Sequence, residues 1–98
     1  MNIIRKLDGT KLTIALEGRL DTTTAPQLEA ALKESLAGVE HLVLDFEKLD
    51  YLSSAGLRVL LAAQKQMNKQ GDMVVRSVNE TIAEIFEVTG FSEILTIE

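Results

Sequence analysis

Between Lys11 and Glu17 the chain alternates with a period of two, Leu12, Ile14 and Leu16 falling between Lys11, Thr13, Ala15 and Glu17. That period belongs to a strand with one buried face and one polar or lightly covered face. A second strand-like run, Asn2 to Leu7, precedes it across Asp8-Gly9, a strong short hairpin signal, so the chain is expected to open on an antiparallel pair. Gly18-Arg19-Leu20-Asp21 then breaks the alternation. Thr24-Ala25-Pro26-Gln27 has the form of a capping box with proline in the first turn, which predicts a helix from near Thr24. Leu28, Ala31, Leu32 and Leu36 make its apolar stripe, Glu29, Lys33 and Glu34 lie off it, and Gly38 stops it.

The next apolar run, Leu42-Val43-Leu44 with Phe46, is nearly unbroken, as expected of a central strand over His41 to Phe46 covered on both faces. The segment from Leu49 to Gly56 reads as a connection into a helix over Leu57 to Met67. That helix carries Leu57, Leu60, Leu61, Ala63 and Met67 and ends near Gln70-Gly71. Met73-Val74-Val75 reads as a short buried strand. Asn79 is placed to cap a third helix that turns Ile82, Ile85, Phe86 and Val88 inward, Gly90 ends it, and Ile94 to Ile97 gives a last strand. The predicted order is β-β-α-β-α-β-α-β. Such alternation implies an α/β domain with a mixed, mostly parallel sheet, an N-terminal antiparallel hairpin, and helices packed on the sheet through right-handed crossovers. The turn from Leu52 to Gly56 then falls at the carboxyl edge of the central strand, where open α/β sheets usually meet ligands and partners.

Composition narrows the classes. At 98 residues and 46% apolar content the chain suffices for one core, so residues 1–98 are read as a single domain. It has no cysteine, which removes disulfide frameworks, zinc-thiolate sites and cysteine nucleophiles. Ten basic against fifteen acidic residues give a formal charge of −5, and Arg5-Lys6 is the longest basic cluster, a poor fit to nucleic acid. The four aromatics, Phe46, Tyr51, Phe86 and Phe91, offer no stacking platform. The start of the chain lacks a signal-peptide core, and no apolar run approaches the ~20 residues a bilayer requires. A cytoplasmic protein, monomeric when free and without membrane insertion, is expected, with no internal repeat or low-complexity segment.

Candidate chemistry sits in one stretch, Tyr51-Leu52-Ser53-Ser54-Ala55-Gly56-Leu57. Ser53 or Ser54 can serve as a helix N-cap, its oxygen accepting from a free N–H of the first turn, which is worth about 1 kcal/mol. The same place suits a phosphate, because free N–H groups and the helix dipole both favour negative charge. The two readings are compatible, since a capping hydroxyl can be modified. Asp21, Asp50 and Tyr51 are candidate partner contacts or ordinary surface and rim residues, and Arg58, one turn into the helix, meets either a phosphate or solvent. His41 has no Ser, Asp or metal-ligand partner at a recognised spacing and reads as a strand-end histidine. No Gly-x-Ser-x-Gly elbow, Gly-rich phosphate loop or Gly-x-Gly-x-x-Gly is present, so catalysis, a resident metal and a cofactor are not expected.

The order of elements, together with Glu17-Gly18-Arg19-Leu20-Asp21, Leu42-Val43-Leu44-Asp45 and Tyr51 to Leu57, resembles the bacterial anti-sigma factor antagonists of the STAS domain family over essentially the whole chain. The resemblance implies a regulatory binding protein whose partner is an anti-sigma factor with serine kinase activity. In that family the unphosphorylated form binds the kinase and releases a sigma factor, and phosphorylation of a serine in the hydroxyl-rich turn ends the interaction. Aligned on Gly56-Leu57, the acceptor position falls on Ser54, and the resemblance places Asp21 near the same edge; Asp21 and, around the turn, Asp50, Tyr51, Ser53, Ser54, Ala55, Gly56 and Arg58 are candidate partner contacts. Two positions depart from the family pattern. Ser53 stands where an aspartate is usual, and Ala55 where a second hydroxyl is usual. A module that binds its partner constitutively, inside a sensory or transport assembly and without phosphorylation, is the alternative these departures keep open.

Overall fold

The computed structural model describes residues 1–98. Its elements run β1 (Asn2–Asp8), β2 (Lys11–Leu20), α1 (Ala25–Ser35), β3 (His41–Leu52), α2 (Ser54–Gln70), β4 (Asp72–Arg76), α3 (Glu80–Thr89), α4 (Phe91–Ile94) and β5 (Thr96–Ile97). The five strands form one sheet in sequential order, β1 antiparallel to β2 and all later neighbours parallel. Sequential parallel strands joined by crossovers of one hand put their connecting helices on one face of the sheet. The burial of the strands agrees. Leu12, Ile14 and Leu16 of β2, Leu42, Leu44 and Phe46 of β3, and Met73 and Val75 of β4 are buried. The opposite row, Thr13, Ala15, Val43, Asp45, Val74 and Arg76, is only half-buried. The central strand is therefore fully covered on one face, not both.

β3 is twice as long as the apolar run that announced it, and its second half explains why. Ala15 pairs with Asp45 but Glu17 with Lys48, and Gly18 pairs with Leu49 but Arg19 with Tyr51. Each step inserts one extra residue on β3, a β-bulge, and each bulge moves the inward positions by one. The buried residues accordingly run Leu42, Leu44, Phe46, then Leu49, then Leu52. A period of two becomes locally a period of three, which in a bare sequence looks like a loop. β2 likewise continues past Glu17 to Leu20, bending at Gly18 with φ +102°, a conformation that residues with a Cβ rarely adopt.

One cluster of 24 residues forms the core, with Leu28 and Leu32 from α1 and Leu36 at its end, Leu57, Leu60, Ala63 and Met67 from α2, and Ile82 and Phe86 from α3. Phe46 and Phe86 stack at 6.5 Å between centroids, tying α3 to β3. Asn79 caps α3 as the sequence predicts, its side chain accepting from the Ile82 N–H at 2.9 Å and donating to the Leu49 carbonyl at 3.0 Å. Val88 does not turn inward: it is 80% exposed, because it sits two residues, about 200° of helix, from Phe86. The last strand is also shorter than expected. Gly90, at φ +80°, ends α3 and opens the single turn α4, so Ile94 lies in a helix, 47% exposed, and only Thr96 and Ile97 pair with β4.

Candidate functional site

Three chain segments meet where β2 and β3 end and α2 begins. The Ser53 N–H donates to the Leu20 carbonyl at 2.9 Å, which fastens the end of β3 to the end of β2 just before Asp21. Gly56 then lets α2 settle onto both strands. A Cβ at that position would lie 2.6 Å from Leu52 Cδ1 and 2.8 Å from Leu20 Cγ, both closer than carbon atoms approach. Without a side chain at Gly56 the first turn of α2 rests directly on Leu20 and Leu52. Ser54 is thereby fixed as the first residue of α2, with its side chain exposed.

The two serines have different environments. Ser53 occupies the N-cap position in an extended conformation, φ −97° and ψ 175°, yet makes no side-chain capping bond. Its Oγ is buried and has no partner. The expected serine cap is not formed, because the hydroxyl is turned inward and away from the first-turn N–H groups. The first turn of α2 also carries no acidic residue. Ala55 is partly buried against the core and Gly56 is enclosed, so of Ser53, Ser54, Ala55 and Gly56 only Ser54 is fully exposed.

Asp21 organises the neighbouring turn. Its Oδ1 accepts from the Thr23 hydroxyl at 2.8 Å, the Thr23 N–H at 3.0 Å and the Thr24 N–H at 3.1 Å. The Thr23 hydroxyl bond, opposed by partial desolvation and helped by the two backbone N–H groups, holds the Asp21 carboxyl below the usual carboxylate range. Thr24 sits at the N-cap of α1 but does not close the expected capping box. Its hydroxyl donates instead to the Arg19 carbonyl and accepts from the Asp21 N–H, both at 2.8 Å. Asp21 is thus a turn-forming residue as well as one near the edge of the site.

Arg19, which the sequence did not single out, joins the two sides. Its guanidinium lies 4.4 Å from the centroid of the Tyr51 ring, its partner in register, and its Nε is 3.7 Å from Asp21 Oδ2. That residue was legible only through strand register. Asp50 is the extra residue of the second bulge and is exposed. Arg58 is exposed one turn along α2 and lines a shallow cavity of about 240 Å³ with Thr22, Pro26 and Glu29 on one side and Ala55 and Val59 on the other. His41 lies at the opposite end of β3, where the Asp72 carboxylate approaches its Nδ1 at 3.0 Å; this cross-strand partner was not visible as a sequence spacing.

Residues 3–98 match the model of the STAS domain. The chain belongs to the STAS domain family. BtrV of Bordetella bronchiseptica, which bears the name of an anti-sigma factor antagonist, is 40% identical over 94% of this chain and 80% of its own length. The anti-sigma-B factor antagonist of Listeria monocytogenes is 33% identical over the whole of this chain and 90% of its own. Among solved structures, the anti-sigma factor antagonist SpoIIAA in its unphosphorylated form superposes with a TM-score of 0.78 at 18% identity, covering 99% of this chain and 87% of that one. SpoIIAA in its phosphorylated form gives 0.77 with 91% of that chain covered. At that identity SpoIIAA establishes the shared STAS fold. Within this STAS domain no helix is long and apolar enough to cross a membrane.

Proposed function

We propose that the chain is an anti-sigma factor antagonist that docks on an anti-sigma factor with serine kinase activity and is released when Ser54 is phosphorylated. The names of BtrV and the Listeria relative support the first half of this reading. The observation that carries the second half is the contrast between the exposed Ser54 side chain and the buried Ser53 Oγ on adjacent residues. Only Ser54 offers a hydroxyl that a kinase can reach without unfolding the start of α2.

In the transfer, a bond forms between Ser54 Oγ and the γ-phosphorus of ATP as the bond to the β,γ-bridging oxygen breaks. ADP leaves, and the hydroxyl proton passes to a base of the kinase. The product gains about −1.5 to −2 charges at pH 7 on the face that docks. The helix dipole favours that charge by about 0.3 to 1 kcal/mol. Docking then requires desolvating the phosphate and bringing it against acidic groups of the partner, which opposes the complex. No refolding is needed.

The experiment is a titration of wild type, Ser54→Ala and Ser54→Asp against an anti-sigma factor kinase, with mass spectrometry of the Ser54 peptide after incubation with kinase and ATP. Ser54→Ala retains binding and takes up no phosphate, whereas Ser54→Asp binds more weakly. Equal affinities for the two variants would refute the switch. A constitutive docking module is the second reading, favoured by Ser53 and Ala55 at positions where the family usually carries an aspartate and a hydroxyl. It requires that the Ser54 peptide stay unmodified in the kinase incubation.

A further inference from the structure

Arg58 differs from every other arginine in the chain. Arg5 is held by Glu34 at 3.3 Å, Arg19 by Asp21 at 3.7 Å and Arg76 by Asp45 at 3.6 Å, but no carboxylate pairs with Arg58. Its isolation is not for want of an acid nearby. Glu29 lines the same cavity, yet its carboxylate is taken by Lys33, one turn along α1, at 3.2 Å. Glu29 is the only other charged residue lining that cavity. On α2, Arg58 stands four residues after Ser54, and positions i and i+4 of a helix share a face with their Cβ atoms roughly 5–6 Å apart. Both side chains are exposed.

We propose that Arg58 is an internal clamp for the phosphate of phosphorylated Ser54, holding it across one turn of α2. This rests on Ser54 being the acceptor. A guanidinium presents paired N–H donors whose geometry matches two phosphate oxygens, and it stays charged throughout the range in which the phosphate titrates. Once clamped, Arg58 is no longer free to meet the partner. The modification therefore changes the docking face twice, adding a phosphate and withdrawing an arginine.

The test uses the full chain with phosphoserine incorporated at position 54, in wild type, Arg58→Gln and Arg58→Lys backgrounds. Phosphorus NMR follows the second ionisation of the phosphate, and circular dichroism checks that each variant is folded. An i,i+4 ion pair of ordinary strength lowers that pKa by roughly 0.2 to 0.4 unit from its free value near 6, so Arg58→Gln titrates higher than wild type by that amount. Arg58→Lys falls between them, and the difference closes in about 1 M salt, where the Debye length is about 3 Å. Coincident wild-type and Arg58→Gln curves at low salt, with both proteins folded, would overturn the clamp. The Ser54 switch fails separately: phosphoserine at position 54 that leaves the kinase complex intact would remove the switch without moving either titration curve.

Discussion

Replacing Gly56 by alanine tests whether the start of α2 is held where the site requires it. Two effects oppose each other. Alanine is the better helix former by about 1 kcal/mol, so at a free position in the first turns of a helix the substitution would stabilise. At Gly56 the added Cβ falls 2.6 Å from Leu52 Cδ1, 2.8 Å from Leu20 Cγ and 3.0 Å from Leu20 Cδ2. Leu20 and Leu52 are 0% and 2% exposed, so neither has free space to retreat into. Overpacking a filled site costs about 1–3 kcal/mol, and a clash with a branch carbon as well as a methyl tip places this one near the upper end. The net expectation is a loss of about 1–2 kcal/mol, or roughly 4–15 °C in Tm for a domain of this size. Thermal and urea unfolding measure it, with Ala62→Gly, an exposed site in the same helix, as the control for propensity alone. A Gly56→Ala protein as stable as wild type, beside a destabilised Ala62→Gly, would refute the tight seating of α2 on the strand ends. Ser54 would then no longer be presented at a fixed place.

Gly71→Ala is expected to be more damaging, by over about 3 kcal/mol, because its Cβ would run into the Glu40 carbonyl oxygen, a backbone atom that also accepts from the Asp72 N–H at 2.9 Å. Its φ of 171° is extended, so the loss comes from contact alone, and urea titration reads it directly. Asp21→Asn weakens the turn before α1 in a pH-dependent way. The carboxyl is held below its ordinary 3.8 in the folded chain, so its contribution is fully present above that value and is lost as pH falls through the lower folded value. The Tm difference between wild type and Asp21→Asn should therefore be constant from about pH 5 to 7 and shrink below about pH 4; a difference that grows on acidification would contradict the turn geometry.

The fold was legible wherever a regular period met an unambiguous stop. The Asp8-Gly9 hairpin, the α1 stripe of Leu28, Ala31, Leu32 and Leu36, and the Asn79 cap all stand where the sequence places them. What escaped was irregular by construction. The two β3 bulges disguise Leu49 to Leu52 as a loop, because their inward residues are three apart and not two. The absence of the two caps has different causes. The Thr24 hydroxyl takes other backbone groups within its reach, the Arg19 carbonyl and the Asp21 N–H, whereas the Ser53 Oγ is buried without a partner. Arg19 carried no motif at all. Its role comes from the register that sets it against Tyr51. The acceptor candidate was legible as a hydroxyl-rich turn before a helix, and alignment on Gly56-Leu57 put it on Ser54; what the sequence did not show is that the Ser53 Oγ beside it is buried.

The difference in exposure between Ser53 and Ser54 is made by the backbone and not by Ser54. The bulges direct Leu52 inward, the Ser53 N–H is fixed to the Leu20 carbonyl, and Gly56 seats the first turn of α2 on Leu20 and Leu52. Each device acts on a neighbour of Ser54, whose own side chain faces solvent and holds nothing in the core. Substitutions at Ser54 therefore fall in the class of exposed changes that shift stability by within about 0.5 kcal/mol. Altered partner binding in Ser54→Asp then reports charge at the proposed docking face, while altered binding in Gly56→Ala reports the placement of the helix that carries it. If Ser54→Asp were instead found to lower Tm as much as Gly56→Ala does, the hydroxyl would be part of the packing, and the separation between what positions the site and what switches it would collapse.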